Sequence, residues 1–262
     1  MKNRITKLFD SKREKLLSVY FTAGFPQLND TIEIARALER HGADMIEIGM
    51  PFSDPVADGP VIQESNKKAL ANGMNVSLLL DQVQEMRKHL KIPIILMGYL
   101  NPIMQFGISK FLTRAREVGV DGLIVPDLPL DEYLSEYKSK FEQLGLMHAL
   151  LVSPTTSEER IHRIDAASSG FLYAVSSSST TGARKEFGKE QLSYFKYLKE
   201  LKLKNPFMVG FGISNAYTFN QACQYSRGAI IGSAFVSALG EGKDLDDTIR
   251  EFTKAIRGKQ LA

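Results

Sequence analysis

The sequence predicts an α/β fold, a (β/α)8 TIM barrel in which residues 1–262 form a single domain. Eight short apolar runs alternate with longer amphipathic segments, and each run is bounded by Gly, Pro, Ser or Asp. Apolar runs of this length are typical of strands that are buried on both faces of a parallel sheet. The chain provides about 33 residues for each strand and its helix, which suits a barrel better than a doubly wound sheet.

The eight apolar runs are the predicted strands. They cover residues 16–23, 45–50, 92–100, 122–127, 147–153, 170–177, 206–212 and 228–234. The segments between them repeat apolar residues at spacings of three and four, as amphipathic helices do. Several end in glycine just before the next strand, as at Gly42 and Gly119, where a left-handed helix terminus is expected. An amphipathic segment with Ile5, Leu8 and Phe9 precedes the first strand, and we expect an extra N-terminal helix that caps the bottom of the barrel.

Composition excludes several classes of protein. The 33 basic and 30 acidic residues are interleaved and leave a net charge of +3, so no nucleic-acid partner is expected. The single cysteine, Cys223, excludes an internal disulfide. The N-terminus has acidic residues and no apolar run resembling a signal peptide, and no segment approaches 18 consecutive apolar residues. The expectation is a soluble, cytoplasmic protein without a membrane partner.

The segment EIGMPFSDPVADGP, residues 47–60, holds more acidic residues and prolines than a surface turn requires. Strand alternation directs Glu47 into the barrel with Gly49, and Ile46 and Ile48 towards the helices. Asp58 follows eleven residues later, in a loop at the carboxyl end of the strand, where barrel active sites lie. Burial should raise the pKa of Glu47 while Asp58 stays ionised, which suits general acid–base catalysis. The structural alternative is a buried glutamate paired with a Lys or Arg, or a charge at the strand end that reaches water.

A second group of candidate residues follows the last three strands. Gly212, Gly232 and Ser233 lie in the loops after strands seven and eight, and Gly182 lies in the loop after strand six. In barrels these loops and the N-terminus of a short helix frequently bind phosphate through backbone N–H groups. The alternative is that these glycines only form turns and helix caps.

The sequence lacks the residues that several other kinds of catalysis require. No lysine stands at a predicted strand end, which argues against Schiff-base and pyridoxal chemistry in this chain. Four histidines are scattered without ligand spacing, so no metal site is expected: His41, His89, His148 and His162. His148 is interpreted as a core residue and Cys223 as a helix residue without a nearby base. Proton transfer by carboxylates on a phosphate ester remains.

These motifs resemble those of the tryptophan synthase alpha subunit family. The resemblance rests on residues 47–60 and on TAGFP, GYLNP, VPDLP, SPTT, TTG, GFGIS and IGSA, which occur in that family's order and spacing over nearly the whole chain. It implies retro-aldol cleavage of indole-3-glycerol phosphate into indole and glyceraldehyde 3-phosphate, a step of tryptophan biosynthesis. It also implies that Glu47 and Asp58 are the two catalytic carboxylates and that Tyr173 is the family's pocket tyrosine.

The chemistry of that reaction requires two acids with different tasks. Indole C3 must be protonated before its bond to the glycerol chain breaks, so Glu47 is expected to transfer protons at C3 and at the 3′-hydroxyl. Asp58 is expected to accept a hydrogen bond from the indole N–H and to stabilise the positive charge that develops at N1. The residues expected to bind substrate are Phe21, Tyr99, Tyr173 and Thr181, with Leu96 and Val125 as further apolar walls.

The resemblance also implies a partner, the β subunit, in an α2β2 heterotetramer. Pyridoxal phosphate belongs to that subunit, and no cofactor is expected in this chain. Residues 51–55 and 101–107 are the expected docking face; the alternative is that 101–107 packs onto its own barrel as a helical turn. Ser177 and Ser179 stand where many members carry an arginine and a glycine, and this departure concerns loop closure and coupling to the β subunit.

Two other functions are consistent with part of the pattern. A different phosphate-binding barrel enzyme would keep the glycines but would not need the acid of the ADGP segment. A barrel that only activates its partner would not need the Glu47 and Asp58 pair, which is present.

Overall fold

The computed structural model describes residues 3–12, 14–176, 186–242 and 244–258. Nine parallel strand segments form one sheet in the order β5-β4-β3-β2-β1-β9-β8-β7-β6. The strands are β1 Leu16–Thr22, β2 Met45–Gly49, β3 Ile94–Met97, β4 Gly122–Ile124, β5 Met147–His148, β6 Leu151–Val152, β7 Leu172–Val175, β8 Phe207–Gly210 and β9 Gly228–Ile231. Every predicted strand contains at least one of these segments.

The two ends of the sheet order belong to one stretch of chain. β5 and β6 are separated only by Ala149 and Leu150. The N–H of Ala149 donates to the carbonyl of Leu123 at 3.1 Å, and the N–H of Tyr173 donates to the carbonyl of Leu150 at 3.0 Å. Hydrogen bonding therefore continues from β4 through residues 147–152 to β7, and the sheet closes on itself as a barrel. The fifth predicted strand corresponds to β5 and β6 together.

Helices cover the outside of the sheet. They are α1 Arg4–Ser11, α2 Asp30–Arg40, α3 Pro60–Ala71, α4 Val76–Arg87, α5 Leu100–Phe106, α6 Ile108–Glu117, α7 Leu130–Glu132, α8 Lys138–Leu144, α9 Glu158–Ala167, α10 Lys189–Glu200, α11 Ala216–Cys223, α12 Ser233–Leu239 and α13 Leu245–Arg257, with a π-helical turn at Tyr133–Tyr137. Side chains cap several of them: Asn75 accepts from the N–H of Leu78, and Asp244 accepts from that of Asp247. In the described part of the chain, no helix is long and apolar enough to cross a membrane.

Alternation along the strands separates two apolar layers. One layer fills the space between sheet and helices and contains Ile46 and Ile48 of β2, as the sequence predicted. The other fills the barrel interior and contains Met45 of the same strand. Glu47 lies two residues after Met45 on β2, so its side chain also points to the inner face.

Helix α1 contacts residues of the inner layer. Ile5 and Phe9 are buried with that layer, and the ring of Phe9 stacks on Phe171 with a centroid distance of 5.7 Å. Arg4 pairs with the buried carboxylate of Asp121 at 3.0 Å, just before β4. The amphipathic segment before the first strand is therefore a helix whose apolar face packs against residues at and before strand starts.

His148 is buried in the outer layer without a polar partner. Its ring lies 4.5 Å from that of Tyr133 and 5.2 Å from that of Phe141, measured between centroids. Neither ring nitrogen has a hydrogen-bond partner among the described residues. Burial lowers the pKa of His148 to about 3, because desolvation disfavours the charged imidazolium. His148 is a core residue, as predicted, but its polar atoms are unsatisfied.

This histidine makes stability depend on pH. Its folded pKa lies below the unfolded value of about 6.5, so the unfolded chain binds more protons and stability falls as the pH falls from 6.5 towards 3. We expect a loss of about 2–3 kcal/mol from this residue at pH 4.5. His148→Leu should flatten that part of the pH dependence in urea unfolding. The exposed His162→Leu is the matched control, and an equal slope in both variants would contradict the assignment.

Candidate active site

Among the described residues, Ser18 holds the Glu47 carboxyl in the barrel interior by a hydrogen bond. The hydroxyl of Ser18, on the adjacent strand β1, donates to Oε1 at 2.8 Å. Oε2 has no hydrogen-bond partner in the described part of the chain, and no described Lys or Arg forms an ion pair with this carboxyl. Burial raises the pKa of Glu47 to about 8, although the Ser18 bond acts in the opposite direction. At pH 7 the side chain is therefore mostly protonated.

Asp58 lies in the loop between β2 and α3, and Tyr99 holds that loop in place. The hydroxyl of Tyr99, just after β3, donates to Oδ2 of Asp58 at 3.3 Å and accepts from the N–H of Ala57 at 3.0 Å. The N–H of Asp58 donates to the carbonyl of Pro55 at 3.0 Å. Burial raises the pKa of Asp58 to about 6, with the Tyr99 bond opposing it. The carboxylate is still mostly ionised at pH 7, as expected from its position in a loop.

A cavity opens at the carboxyl ends of the strands, with about 470 Å³ of empty space when the part open to solvent is included. It brings together Asp58, Tyr173 and three of the residues predicted to bind phosphate, Gly212, Gly232 and Ser233. The remaining lining residues are Tyr20, Ile62, Met97, Phe211, Ile213 and Ile230. One wall is therefore acidic, one is formed by backbone of two loops, and the space between is apolar.

A second cavity of about 1230 Å³, open to solvent, adjoins the first. The two share Tyr20, Asp58, Met97 and Phe211. Tyr99 lines this second cavity, not the first. Asp58 thus lies at the boundary between the two spaces.

Glu47 lines neither cavity in the described conformation. Its carboxyl turns towards Ser18, below the cavity floor. It nevertheless lies near the pocket tyrosine, since its negative charge is the largest contribution after burial to the raised pKa of Tyr173. The structure brings Asp58 to the cavity wall and leaves Glu47 one layer beneath it.

Three predicted ring contacts lie on the opposite side of the sheet. Phe21, Leu96 and Val125 are buried in the layer between sheet and helices and line neither cavity. Their neighbours Tyr20 and Met97 line both cavities. The assignment of Phe21 is therefore corrected to Tyr20, because residues one apart on a strand face opposite sides. In the structure Tyr20 pairs in register with Glu47, so both face inward; the sequence alone does not show this register.

Two glycines make room for the two cavity tyrosines. A Cβ on Gly49 would lie 2.1 Å from the hydroxyl of Tyr20, and a Cβ on Gly210 would lie 2.2 Å from that of Tyr173. Both distances are far inside van der Waals contact, so each strand end must be glycine while the ring stays in place. These two glycines were not assigned a role from the sequence.

The phosphate candidates also have structural roles. Gly212 has φ 73° after Phe211 at φ 67°, so the chain makes a left-handed turn at the end of β8. Gly232 is the N-cap of α12, which begins at Ser233. These two glycines therefore do form a turn and a helix cap, as the alternative interpretation proposed. In the same positions they also line the cavity, to which a glycine presents its backbone. Thr181, Gly182, Ser177 and Ser179 lie outside the described residues.

The described residues contain no group of three or more His, Cys, Asp or Glu that could hold a metal ion. The family model of the tryptophan synthase alpha chain matches residues 6–260. The chain belongs to this family. Among curated relatives, the alpha chain of Flavobacterium johnsoniae is 53% identical and that of Bacteroides thetaiotaomicron 48% identical, each alignment covering 97% of this chain and 100% of the relative.

Solved structures of the tryptophan synthase alpha chain have the same fold. The alpha chain from Legionella pneumophila subsp. pneumophila has a TM-score of 0.88 at 36% identity, covering 98% of this chain and 97% of that one. A tryptophan synthase complex from Pyrococcus furiosus contains a chain with a TM-score of 0.85 at 34% identity, covering 94% of this chain and 98% of that one. The barrel fold and the family expected from the sequence are confirmed.

Membership of the tryptophan synthase alpha chain family also confirms the reaction class. The alpha chain is the lyase that cleaves indole-3-glycerol phosphate in tryptophan biosynthesis. The family's pyridoxal phosphate belongs to the beta subunit.

Gly210→Ala tests the steric role of the glycine beside Tyr173. The new Cβ must displace the ring, so we expect about 1–3 kcal/mol lower stability in urea unfolding, together with a higher KM for substrate. Gly188→Ala is the control, since a Cβ there meets only a Gln191 side-chain oxygen at 3.5 Å and φ is −73°. Wild-type stability and KM in the Gly210 variant would show that the ring is not fixed by this contact.

Proposed function

We propose that the chain binds indole-3-glycerol phosphate across the first cavity and cleaves it with the carboxyl groups of Glu47 and Asp58. The observation that carries this assignment is that Asp58 and the two glycine loops line one cavity. A substrate with a heteroaromatic N–H at one end and a phosphate at the other needs an acidic wall and an anion-binding wall in the same cavity. A sugar-phosphate barrel enzyme would need only the second.

The phosphate is bound by backbone N–H groups in this proposal. Gly212 follows β8, and Gly232 and Ser233 lie at the start of α12, where unpaired N–H groups and the helix dipole favour an anion. No Lys or Arg lines the described cavity. Thr181 and Gly182 would contribute from the loop after β7, completing the set predicted from the sequence.

The indole ring lies in the apolar middle of the cavity. Tyr20, Met97, Tyr173 and Phe211 line that part. Tyr99 acts through Asp58, whose position its hydroxyl fixes. With the ring held there, the N–H of indole donates to the Asp58 carboxylate.

The two carboxyl groups have complementary protonation states at neutral pH. Glu47, with a pKa near 8, carries the proton that indole C3 requires, and Asp58, with a pKa near 6, remains an anion. Protonation of C3 places positive charge on the ring nitrogen, which Asp58 stabilises. The Glu47 carboxylate then removes the 3′-hydroxyl proton as the C3 bond to the glycerol chain breaks, so indole and an aldehyde form and Glu47 regains its proton.

This sequence of steps requires Glu47 to turn into the cavity. The movement gives up only the Ser18 hydrogen bond, because Oε2 has no partner among the described residues. Neutral Glu47 also moves past apolar neighbours without the desolvation penalty of a charge. The described conformation is, in this proposal, the resting position of the acid.

Replacing either carboxyl should abolish cleavage while leaving the fold intact. Glu47→Gln removes the proton donor and Asp58→Asn removes the negative charge, and we expect turnover to fall by about 10²- to 10⁴-fold or more in each. The measurement is release of indole from indole-3-glycerol phosphate by the pure chain, with and without a β subunit. The pH profile of the wild type should rise through about 6 and fall through about 8.

The direction of each limb of the pH profile follows from the protonation state that each carboxyl group needs for cleavage. Asp58 must be ionised, so activity is lost below its pKa; Glu47 must be protonated, so activity is lost above its pKa. Circular dichroism and urea unfolding serve as controls for folding of both variants. Near-normal turnover in both would eliminate the carboxylate mechanism.

The docking face for the β subunit is proposed around Val56 and Met104. Their side chains are 82% and 57% exposed. Val56 lines the second cavity, and Met104 lies on α5, which follows β3. Residues 101–107 were expected either to dock the β subunit or to pack onto their own barrel, and each alternative fits one residue. Phe106 packs edge-on against Phe111 of its own barrel, with a centroid distance of 6.2 Å, while Met104 of the same helix points outward. Within residues 51–55, Pro51 and Pro55 are buried.

Met104→Glu should weaken binding of the β subunit by at least tenfold, since a carboxylate would be desolvated in the interface. Titration calorimetry with a purified β subunit measures this. Leu70→Glu is the control: Leu70 is a partly exposed apolar residue near the C-terminal end of α3, away from the strand ends that form the rim. Unchanged affinity for the Met104 variant would remove this residue from the docking face.

Three broader expectations belong to the same proposal. Helix α1, with Ile5 and Phe9 packed into the inner layer, would close the amino-terminal end of the barrel. The chain would function as one domain over residues 1–262. Its location would be cytoplasmic, where the substrate of a biosynthetic lyase is made.

A further inference from the structure

Ser176 makes two hydrogen bonds to the backbone at the end of β8. It directly follows β7, and its N–H donates to the carbonyl oxygen of Gly210 at 3.1 Å. Its hydroxyl donates to the carbonyl oxygen of the next residue, Phe211, at 2.9 Å. Ser176 is 1% exposed and lines neither cavity. Any contribution of this hydroxyl to the site is therefore made through the β8 backbone.

The peptide bond that Ser176 contacts joins two residues in the left-handed region. Phe211 has φ 67° and Gly212 has φ 73°. A phenylalanine rarely adopts this conformation, whereas a glycine adopts many conformations and offers little resistance to rotation of the peptide plane before it. The Phe211 ring packs edge-on against Tyr173 with a centroid distance of 6.1 Å, which fixes the ring but not the following peptide. A hydrogen bond to the peptide itself is needed to select one orientation.

The Ser176 hydroxyl determines the direction in which the N–H of Gly212 points. The Phe211–Gly212 peptide bond is trans, so its carbonyl oxygen and its N–H point in opposite directions within one plane. Because the carbonyl oxygen is directed to the buried Ser176, the N–H is directed away from it. Gly212 lines the first cavity and Ser176 does not. The N–H of Gly212 is therefore turned to the side of the loop on which the cavity lies.

We propose that Ser176 is a positioning residue for the phosphate, which holds the Phe211–Gly212 peptide so that the N–H of Gly212 donates into the cavity. The inference rests on the proposed function, in which this N–H binds the phosphate of the substrate. The hydroxyl of Ser176 acts through the peptide and does not touch the substrate.

Removal of the hydroxyl should reverse the polarity that the peptide presents to the phosphate. The carbonyl of Phe211 would lose its donor from Ser176, and an unpaired buried carbonyl is costly, so rotation of the peptide towards the cavity becomes favourable. That rotation withdraws the N–H of Gly212 and places a carbonyl oxygen, with its partial negative charge, beside the phosphate. The effect falls on binding of the phosphate, since the two catalytic carboxyl groups keep their positions.

Ser176→Ala tests the assignment in the full chain, alone and with a β subunit. KM for indole-3-glycerol phosphate should rise about tenfold while kcat stays within about twofold, because the lost contact is made equally by bound substrate and transition state. Calorimetry on the chain alone should show about tenfold weaker binding of glycerol 3-phosphate. Indole, which has no phosphate, should bind as it does to the wild type. Ser176→Cys fills the same space with a weaker donor and should show a smaller loss of the same kind.

Ser168→Ala is the matched control, because this buried serine also donates to backbone carbonyls but lines neither cavity. It should leave KM and both ligand affinities unchanged. A purely structural role of Ser176 would lower stability in urea unfolding without separating the two ligands. Equal losses for glycerol 3-phosphate and indole, or wild-type affinity for glycerol 3-phosphate in the Ser176 variants, would overturn the inference.

Failure of the proposed function gives a different result. In that case the wild type releases no indole from indole-3-glycerol phosphate. Binding of glycerol 3-phosphate by the wild type and by Ser176→Ala still decides whether Ser176 positions an anion-binding N–H.

Discussion

The site depends on the burial of one carboxyl group inside the barrel. Glu47 is surrounded by the inner apolar layer, and this burial raises its pKa to about 8 although the Ser18 hydroxyl donates a hydrogen bond to it. Holding this acid protonated at pH 7, when the unfolded chain would ionise it, costs about 3 kcal/mol of folding free energy. A sequence selected only for stability would not place a glutamate at this buried position. The closed sheet and its two apolar layers supply the stability that offsets this cost.

The pocket above Glu47 is shaped by two features: which strand residues face inward, and where glycines stand at the strand ends. Glu47, Tyr20 and Met97 all face inward because parallel pairing carries parity from strand to strand. The rings of Tyr20 and Tyr173 fit only because Gly49 and Gly210 lack side chains. Large inward-facing side chains at the strand ends are thus paired with residues that make space for them, and the remaining volume is the cavity.

Much of the fold was predictable because it is encoded in short-range patterns. Apolar runs and amphipathic segments located every strand, and the acidic segment located both carboxyl groups. The ring contacts were less predictable, because they depend on the register between strands distant in sequence. Choosing Phe21 over Tyr20 was an error of one residue, which the pairing of Tyr20 with Glu47 resolves. The break of the fifth strand into β5 and β6, and the raised pKa of Asp58, depend on tertiary packing that no local pattern records.

The two carboxyl groups differ in their hydrogen bonding as well as in pKa, and the difference suits the tasks proposed for them. Asp58 is fixed by the Tyr99 hydroxyl, and the same hydroxyl accepts from Ala57, so loop and carboxylate are positioned together. A charge that is already in place stabilises a developing cation without reorganisation during the reaction. In the proposed mechanism Glu47, in contrast, exchanges a proton with two atoms of the substrate. Among the described residues only the Ser18 hydroxyl holds its carboxyl by a hydrogen bond, which favours this movement. If both groups were fixed, one proton could not reach both atoms; if both were mobile, the electrostatic stabilisation would be lost to reorientation.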